Sequence, residues 1–388
     1  MTSPYAVVSK KGEQRLFAGH PWIYRSDIMD ADAEPGDTVS VLSQRKQVLG
    51  QALFSDQSQI TLRMLTHGQA VADQSLWRAR IDAAVSFRED LGLDATACRL
   101  VNGEADLLPS LVVDRYGDYL VVQALSQGTN RRLPEIVELL VERVGPAGIL
   151  ARNDPKVRLL EGLDREVRLL HGEVPESIPV REGPVHYDVN VWTGQKTGLF
   201  LDQRENREAA ARYARGRLLD CFSYHGGFAL RLAAQCDEVV AMDVSADAVV
   251  RIAANAVKNG ITNLEAVEAN VFDELRRLLD ARDRFDTIVL DPPAFAKSKA
   301  AVPSALAGYK EINLRALGLL SPGGTLVTCS CSYNVSEAMF EAMLHAAAAD
   351  AGVSVSIVEK RMQGRDHPVL LGVPETYYLK CFILRRVD

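Results

Sequence analysis

Two cysteines lie close together at the end of an apolar run, in the stretch LVTCSCSYN at 326–334. Side chains alternate along a β-strand, so Cys329 and Cys331 would share one face if the strand remains extended. A disulfide is disfavoured by this spacing and by a reducing compartment. We predict no metal site, because no second cysteine pair offers the further ligands that zinc requires. A packed thiol and a nucleophile remain, and Cys331 is the better candidate nucleophile because it lies nearer the strand end.

A thiol has a specific use in methyl transfer to a pyrimidine. Carbon 5 of the ring attacks a methyl sulfonium poorly, whereas addition of a thiolate to carbon 6 gives an enamine whose carbon 5 is nucleophilic. A base then removes the carbon 5 proton and the thiolate leaves. The thiol needs a lowered pKa or a neighbouring base to react. This chemistry predicts that Cys331 forms a covalent adduct with the base.

The second candidate catalytic residue is Asp291, which begins the stretch DPPAFAKSK at a predicted strand end. Two prolines after it fix φ and remove two backbone donors, which leaves carbonyl groups free to meet a substrate edge. Enzymes that methylate exocyclic amines usually place an aromatic residue directly after the prolines, where this chain has Ala294. The pattern favours methylation of a ring carbon, with Asp291 holding the amine or ring nitrogen of the base.

A loop with adjacent glycines follows the apolar run RLLD and predicts a cofactor pocket. Asp220 in this loop suits an ammonium group better than a diphosphate, and the G-x-G-x-x-G spacing of dinucleotide sites is absent. Asp243, at the tip of the next predicted strand, suits the two hydroxyls of a ribose. Ribose and ammonium together point to S-adenosylmethionine. The residues predicted to bind it from these strand ends are Asp220, Phe222, Tyr224, Gly226, Asp243, Val244 and Asp291.

Three successive patterns along the chain predict the elements that position these residues. Short strand-like runs at 1–72 indicate a small β-rich domain, and mixed strand and helix patterns at 73–185 indicate an α+β connector domain. From 186 to 388 apolar strands alternate with helices, which is typical of a parallel sheet flanked by helices. Ligands bind beyond the carboxyl ends of the strands in such a sheet.

Composition limits the classes of function. The 388 residues are 47% hydrophobic and 24% charged, with a formal net charge of −7, which argues against a general polyanion binder but not against a specific RNA contact. The N-terminus lacks the apolar core of a signal peptide, and no run is long enough to span a membrane. We therefore expect a cytoplasmic protein with no membrane partner. If it associates, a homodimer is the commonest arrangement.

Several motifs carry a resemblance to a known family. They are GHPWIYRSDI, TGQKTGLFLDQRENR, DPPAFAKSK, GYKEINLRAL, CSCS and RDHPVLLGVPETYYLK, in this order. The chain resembles the bacterial large-subunit rRNA cytosine-5 methyltransferases with an N-terminal PUA domain. The resemblance implies an α/β fold, in which a class I Rossmann-like methyltransferase domain follows the β-rich PUA domain and the small α+β connector.

The resemblance also implies a reaction and its partners. The donor would be S-adenosylmethionine, and the acceptor a cytosine in 23S rRNA or in a precursor of the large ribosomal subunit. The family's S-C-S element selects Cys331, whereas the T-C-S element of other RNA cytosine-5 methyltransferases would select Cys329. Two rival functions remain open, methylation of an rRNA purine nitrogen and a non-catalytic role as an RNA-binding assembly factor.

The resemblance further implies two groups of cofactor residues. Asn270 lies where the family usually has an acidic residue that accepts a hydrogen bond from adenine, and its carbonyl oxygen can still accept one. Val271 follows it in the same stretch. The segment at 193–207 resembles one wall of the family's cofactor pocket. The wall residues expected from this segment are Lys196, Thr197 and Phe200.

Overall fold

The computed structural model describes residues 3–388, and contacts between them divide the chain into two compact units. The first unit comprises the described residues up to 180, together with 189–201 and 365–376. The second comprises 181–188, 202–364 and 377–388. The three-domain division with boundaries after 72 and 185 stays a prediction.

The N-terminal part of the first unit is a six-stranded sheet with one helix. The strand order is β2-β6-β5-β4-β1-β3. All neighbouring strands pair antiparallel, except that β1 and β4 are parallel to each other. Their bounds are β1 Tyr5–Val8, α1 Lys10–Phe17, β2 Trp22–Tyr24, β3 Ile28–Asp32, β4 Thr38–Leu42, β5 Val48–Phe54 and β6 Ile60–Met64. Alternate residues such as Val39 and Val41 point into the core, as the period of two predicts.

The rest of the first unit is built on a five-stranded sheet with the order β11-β10-β9-β8-β7. Its elements are α2 Gln74–Asp90, β7 Ala97–Asn102, β8 Leu111–Tyr116, β9 Tyr119–Ala124, α3 Gln127–Arg131, α4 Leu133–Val144, β10 Gly148–Asn153 and β11 Glu166–Gly172. A tight turn at Gly117 joins β8 to β9, with φ of 58° at the glycine. The α+β character expected for this stretch is therefore confirmed.

A hairpin of β12 Ile178–Glu182 and β13 Val185–Val189 precedes the large sheet of the second unit. The sheet has seven strands in the order β16-β15-β14-β17-β18-β20-β19. Its elements are α5 Arg204–Ala211, β14 Arg217–Cys221, α6 Gly227–Leu232, β15 Glu238–Asp243, α7 Ala246–Lys258, β16 Leu264–Glu268, α8 Val271–Asp280, β17 Phe285–Leu290, α9 Val302–Leu319, β18 Leu320–Ser330, α10 Glu337–Ala351, β19 Val355–Arg361 and β20 Lys380–Arg386.

The predicted parallel sheet is confirmed for β14 to β18. The structure adds β20, which runs antiparallel to β18, and β19, which pairs antiparallel with β20. Because helices cover both faces of this sheet, successive residues along a strand pack into two separate apolar cores. Leu218 and Leu219 of β14 are an example. Within residues 3–388 none of the helices is both long and apolar enough to cross a bilayer.

Candidate active site at the carboxyl edge of the large sheet

The strand order reverses at β14, which lies between β15 and β17. Ligands of open α/β sheets bind at such a switch point, beyond the carboxyl ends of the strands. Asp220 is the penultimate residue of β14, Asp243 ends β15, and Asp291 directly follows β17. Cys331 directly follows β18. The sheet topology therefore brings the predicted carboxylates and the predicted nucleophile to one edge.

Asp220 is almost fully buried, and its two carboxylate oxygens differ. The Oδ2 atom accepts hydrogen bonds from Ser223 Oγ at 2.5 Å and from the backbone N–H of Ala229 at 3.0 Å. The Oδ1 atom is buried and has no hydrogen-bond partner among residues 3–388. Burial raises the pKa of Asp220 to about 7, against the opposing effect of the two hydrogen bonds. A cation placed at Oδ1 would satisfy the free oxygen and restore the charged form.

The loop after β14 has an unusual backbone. Phe222 and Tyr224 adopt positive φ values of 63° and 54°, in the left-handed region that non-glycine residues rarely occupy, and Gly226 has a φ of 82°. Such strain concentrates at functional sites, where the surrounding structure enforces it. His225 beside them is buried, and burial lowers its pKa to about 3, with Arg251 and Arg207 acting in the same direction. This histidine is therefore neutral at physiological pH.

Asp243 is oriented by two backbone groups at the tip of β15. The backbone N–H of Tyr224 donates to Oδ2 and that of Ser245 donates to Oδ1, each at 3.0 Å. Each carboxylate oxygen can accept a further hydrogen bond. The arrangement leaves two acceptors that suit the adjacent hydroxyls of a ribose, and the contact with Tyr224 links this carboxylate to the strained loop.

The residues predicted to meet adenine lie around the start of α8. Asn270 is exposed and caps this helix, since its Oδ1 accepts the backbone N–H of Phe272 at 2.9 Å. One further acceptor site therefore remains on that oxygen. Val271 is buried in the core, so its backbone rather than its side chain is available to a ligand, whereas Val244 is 70% exposed. The cofactor roles of these residues stay predictions.

Asp291 is held by two amides that sequence reasoning missed. Gln203 Nε2 donates to Asp291 Oδ1 at 2.8 Å, and Asn206 Nδ2 donates to Gln203 Oε1 at 2.7 Å. Both amide side chains are buried, at 2% and 0% exposure. The sequence does contain one indication of their role. Both residues lie in the segment at 193–207, which the resemblance assigned to a wall of the cofactor pocket. The chain of amides fixes the orientation of the carboxylate.

Cys331 is half-buried beside the loop that follows β17. Its Sγ atom lies 3.8 Å from the carbonyl oxygen of Pro292, a weak S–H···O contact. Ser332 anchors the two loops to each other, since its Oγ accepts the backbone N–H of Ala296 at 3.0 Å and shares a hydrogen bond with the Tyr309 hydroxyl at 2.9 Å. The thiol and the aspartate-proline-proline loop are thus one local structure.

Cys329 differs from Cys331 in its environment because β18 ends at Ser330, between the two thiols. Only Cys329 lies within the paired strand, and Cys331 begins the loop that follows it. Cys329 is fully buried in an apolar cluster opposite Cys381, its partner in the antiparallel pairing with β20. Burial raises the pKa of the Cys329 thiol well above its usual value, with further contributions from Cys381 and Asp291.

Lys196, Thr197 and Phe200 belong to the first unit, and the residues described above belong to the second. Thr197 is buried, and its hydroxyl contacts Asp114 Oδ2 at 2.6 Å and the Tyr116 hydroxyl at 2.9 Å. The Lys196 ammonium lies 4.4 Å from the centroid of the Phe200 ring. These contacts stabilise the segment itself, and its role as a wall of the cofactor pocket stays a prediction.

Comparison with known proteins decides the family. A family model described as an S-adenosylmethionine-dependent methyltransferase matches residues 125–384, and one described as a PUA-like domain matches residues 6–67. Ribosomal RNA large subunit methyltransferase I of Vibrio cholerae serotype O1 is 39% identical over 98% of each chain. This chain belongs to the ribosomal RNA large subunit methyltransferase I family. Both the PUA-like domain and the Rossmann-like methyltransferase fold expected from the sequence are confirmed.

Solved structures share the fold of this family member along the whole chain. An S-adenosylmethionine-dependent methyltransferase from Streptococcus mutans superposes with a TM-score of 0.84 at 20% identity, covering 98% of this chain and 99% of that one. A second structure, of a methyltransferase complexed with S-adenosylhomocysteine, gives a TM-score of 0.84 at 21% identity with the same coverage.

S-adenosylmethionine is the cofactor of this methyltransferase, as the sequence predicted. The residues at the sheet edge fit it. The free, buried Oδ1 of Asp220 suits the ammonium of its methionine part, and the remaining acceptors of Asp243 suit its ribose. A diphosphate, by contrast, would be repelled by both carboxylates.

Proposed function

We propose that this methyltransferase modifies carbon 5 of a cytosine in 23S rRNA through a covalent adduct between Cys331 and carbon 6 of the base. The observation that carries the proposal is the half-buried Cys331 thiol, placed at the carboxyl edge of the sheet beside Asp291-Pro292. A methyl transfer to an exocyclic amine or to a purine nitrogen needs no thiol at this position.

The reaction changes the bonding at two ring atoms of the base, carbon 6 and carbon 5. The Cys331 thiolate bonds to carbon 6, and the electron pair displaced from the ring double bond makes carbon 5 nucleophilic. S-adenosylmethionine, when bound, would supply an electrophilic methyl group. Carbon 5 would bond to that methyl group as the methyl–sulfur bond breaks, and the electron pair of the broken bond would stay on sulfur in the product S-adenosylhomocysteine. A base removes the carbon 5 proton, the electron pair re-forms the double bond, and the bond between carbon 6 and sulfur breaks to return the thiolate.

The environment of the two thiols supports Cys331 as the nucleophile. A nucleophilic thiol must be partly accessible and must ionise near neutral pH. Cys331 is half-buried in a polar loop, whereas Cys329 is fully enclosed in an apolar cluster that strongly disfavours its thiolate form. The T-C-S alternative is therefore less favourable on both grounds.

Asp291 is proposed to orient the cytosine. Gln203 donates to the Oδ1 atom of Asp291, so the carboxylate is held in one position. A carboxylate can accept a hydrogen bond from the exocyclic amine of cytosine or from a protonated ring nitrogen. The neighbouring aromatic side chain, Phe295, packs 4.6 Å from the Tyr309 ring, so it is engaged in the core rather than offered for stacking on an amine-bearing base.

The choice of substrate rests on the relatives and on the PUA-like domain. The similar protein from Vibrio cholerae is named for the RNA of the large ribosomal subunit, and we extend that substrate to this chain. The matching PUA-like domain at 6–67 supports an RNA partner, either 23S rRNA or a precursor of the large subunit. Such a substrate places the enzyme in the cytoplasm.

The deciding experiment measures methylation of 23S rRNA, as naked transcript and as large subunits from a strain that lacks the gene. The wild-type protein should produce 5-methylcytosine by nucleoside mass spectrometry, Cys331→Ala should produce none, and Cys329→Ala should retain activity. RNA that contains 5-fluorocytosine should trap a covalent adduct with the wild-type protein and with Cys329→Ala but not with Cys331→Ala, because fluorine on carbon 5 cannot leave as a proton does. A methylated purine, full activity of Cys331→Ala, or binding without methylation would each overturn the proposal.

A further inference from the structure

Lys380 is a buried lysine near the proposed nucleophile. It is the last residue of the motif RDHPVLLGVPETYYLK, but no role in the site has been assigned to it. It begins β20, is 1% exposed, and lies opposite Ser330 in the pairing with β18. Lysine is almost never fully buried unless its charge is paired. Among residues 3–388, no carboxylate forms an ion pair with Lys380, so its burial calls for another explanation.

The contacts of the ammonium place it beside the segment that carries Cys331. Lys380 Nζ donates to the carbonyl oxygen of Ser332 at 2.7 Å and to that of Tyr378 at 2.9 Å. The Ser332 carbonyl belongs to the residue directly after the thiol. An ammonium has three donors, so one N–H remains after these two bonds.

The titratable groups around Lys380 come from several elements. Burial lowers its pKa to about 8, while the charges of Cys331 and of Glu337, at the start of α10, act in the opposite direction. Glu337 accepts a hydrogen bond from the Tyr377 hydroxyl at 2.7 Å. Tyr309 of α9 also faces Cys331, and burial raises the pKa of its hydroxyl, so it stays neutral. Lys380 is the cation of this group, and most of its population is charged at pH 7.

We propose that Lys380 is a positioning residue for the nucleophile, whose ammonium charge favours the thiolate form of Cys331 and whose bonds to two carbonyl groups hold the segment that carries the thiol. On ionisation the thiol proton passes to solvent, and Lys380 keeps its own protons. The inference rests on the proposed function, because a stabilised thiolate serves the addition to carbon 6. Lys380 acts through Cys331 and need not touch the substrate.

The experiment measures the ionisation of Cys331 without any RNA. The full-length protein is treated with iodoacetamide between pH 5.5 and 9.5, and the alkylation rate of the Cys331 peptide is followed by mass spectrometry. In Lys380→Gln, which keeps a donor but loses the charge, the midpoint of the profile should rise by roughly one pH unit. The rate at pH 7 should then fall roughly tenfold. Lys380→Arg should keep a midpoint near that of the wild type.

Two further measurements guard against a folding artefact. Lys258→Gln is the matched control, since Lys258 lies in the same unit and forms a partly exposed ion pair with Asp188. It should leave the profile unchanged. The wild-type midpoint itself should lie below the ordinary value of about 8.5 for a free cysteine, so a wild-type midpoint at or above that value overturns the inference even if Lys380→Gln fails to fold. An unshifted midpoint in folded Lys380→Gln overturns it as well.

The outcomes separate this inference from the proposed function. If Cys331→Ala still methylates RNA while alkylation of Cys331 depends on Lys380, the proposed function fails and the electrostatic role of Lys380 stands. If Cys331→Ala is inactive while alkylation is independent of Lys380, the proposed function stands and this inference fails.

Discussion

The affinity for S-adenosylmethionine should depend on the ionisation of Asp220. Burial raises the pKa of this carboxyl to about 7 in the free protein, and its Oδ1 atom has no partner within the described residues 3–388. A bound ammonium group stabilises the charged carboxylate, so the pKa of Asp220 should be lower in the complex than in the free protein. The apparent affinity should therefore approach its maximum as the pH rises above about 7, and it should decrease as the pH falls below about 7.

The size of this effect follows from the fraction of protein that is competent to bind. An apparent dissociation constant scales inversely with that fraction, so a pKa of about 7 predicts roughly 25-fold weaker binding at pH 5.5 than at pH 7.5. Asp220→Asn removes both the charge and the titration. Loss of a charge-assisted hydrogen bond, worth about 1.5–3 kcal/mol, corresponds to roughly 10- to 150-fold weaker binding at pH 7.5.

Isothermal titration calorimetry with S-adenosylmethionine from pH 5.5 to 7.5 tests this reasoning. The range stops there because an α-amino group itself titrates at about 7.7–8.0. The profile of Asp220→Asn should be flat. Ser223→Ala removes a hydrogen bond that lowers the pKa of Asp220, so its midpoint should move upward. A pH-independent wild-type affinity, or wild-type affinity in Asp220→Asn, would refute the assignment of the ammonium site.

Two further variants test the strained loop and the amide pair. Gly226→Ala forces a side chain into a positive φ with its Cβ 3.1 Å from Leu230 Cγ, and should lose about 1–3 kcal/mol of unfolding free energy in urea titrations. Gly260→Ala is the control, because Gly260 also has a positive φ but an added Cβ would contact nothing there. It should lose less unfolding free energy, and an equal loss in the two variants would contradict the packing argument. Gln203→Ala removes the hydrogen bond that orients Asp291, and it should lower kcat about tenfold, which corresponds to the free energy of about one hydrogen bond. The dissociation constant for S-adenosylmethionine should not change. Exposed Gln235→Ala is its control, and wild-type turnover in Gln203→Ala would remove the role of the amide.

The order of elements in the second unit could be predicted because parallel strands buried on both faces are near-continuous apolar runs. Such runs identify β14, β15 and β17 without any tertiary information. The antiparallel strands β19 and β20 were not predicted. The place of β20 beside β18 depends on pairing between residues about 50 positions apart in the chain, as for Ser330 and Lys380, and β19 pairs with the other edge of β20. The local pattern of apolar residues does not indicate which distant strands pair.

Some residues of the candidate site could be predicted from the sequence, and others could not. Asp220, Asp243 and Asp291 could be found because each lies at a strand end, and the carboxyl ends of parallel strands share one edge. Gln203 and Lys380 could not be assigned a role, because a buried amide or lysine acts only through the group it faces. That neighbour is decided by packing between elements distant in sequence.

The sequence by itself determined the chemistry available at this edge, namely carboxylates and thiols at strand ends, since residue type and strand periodicity are local properties. Only the tertiary structure decided which thiol is accessible. Pairing with β20 encloses Cys329 against Cys381, and the end of β18 at Ser330 leaves Cys331 in a loop beside Pro292. The physical reason is that burial, and with it the ionisation of a thiol, depends on every element that packs around it.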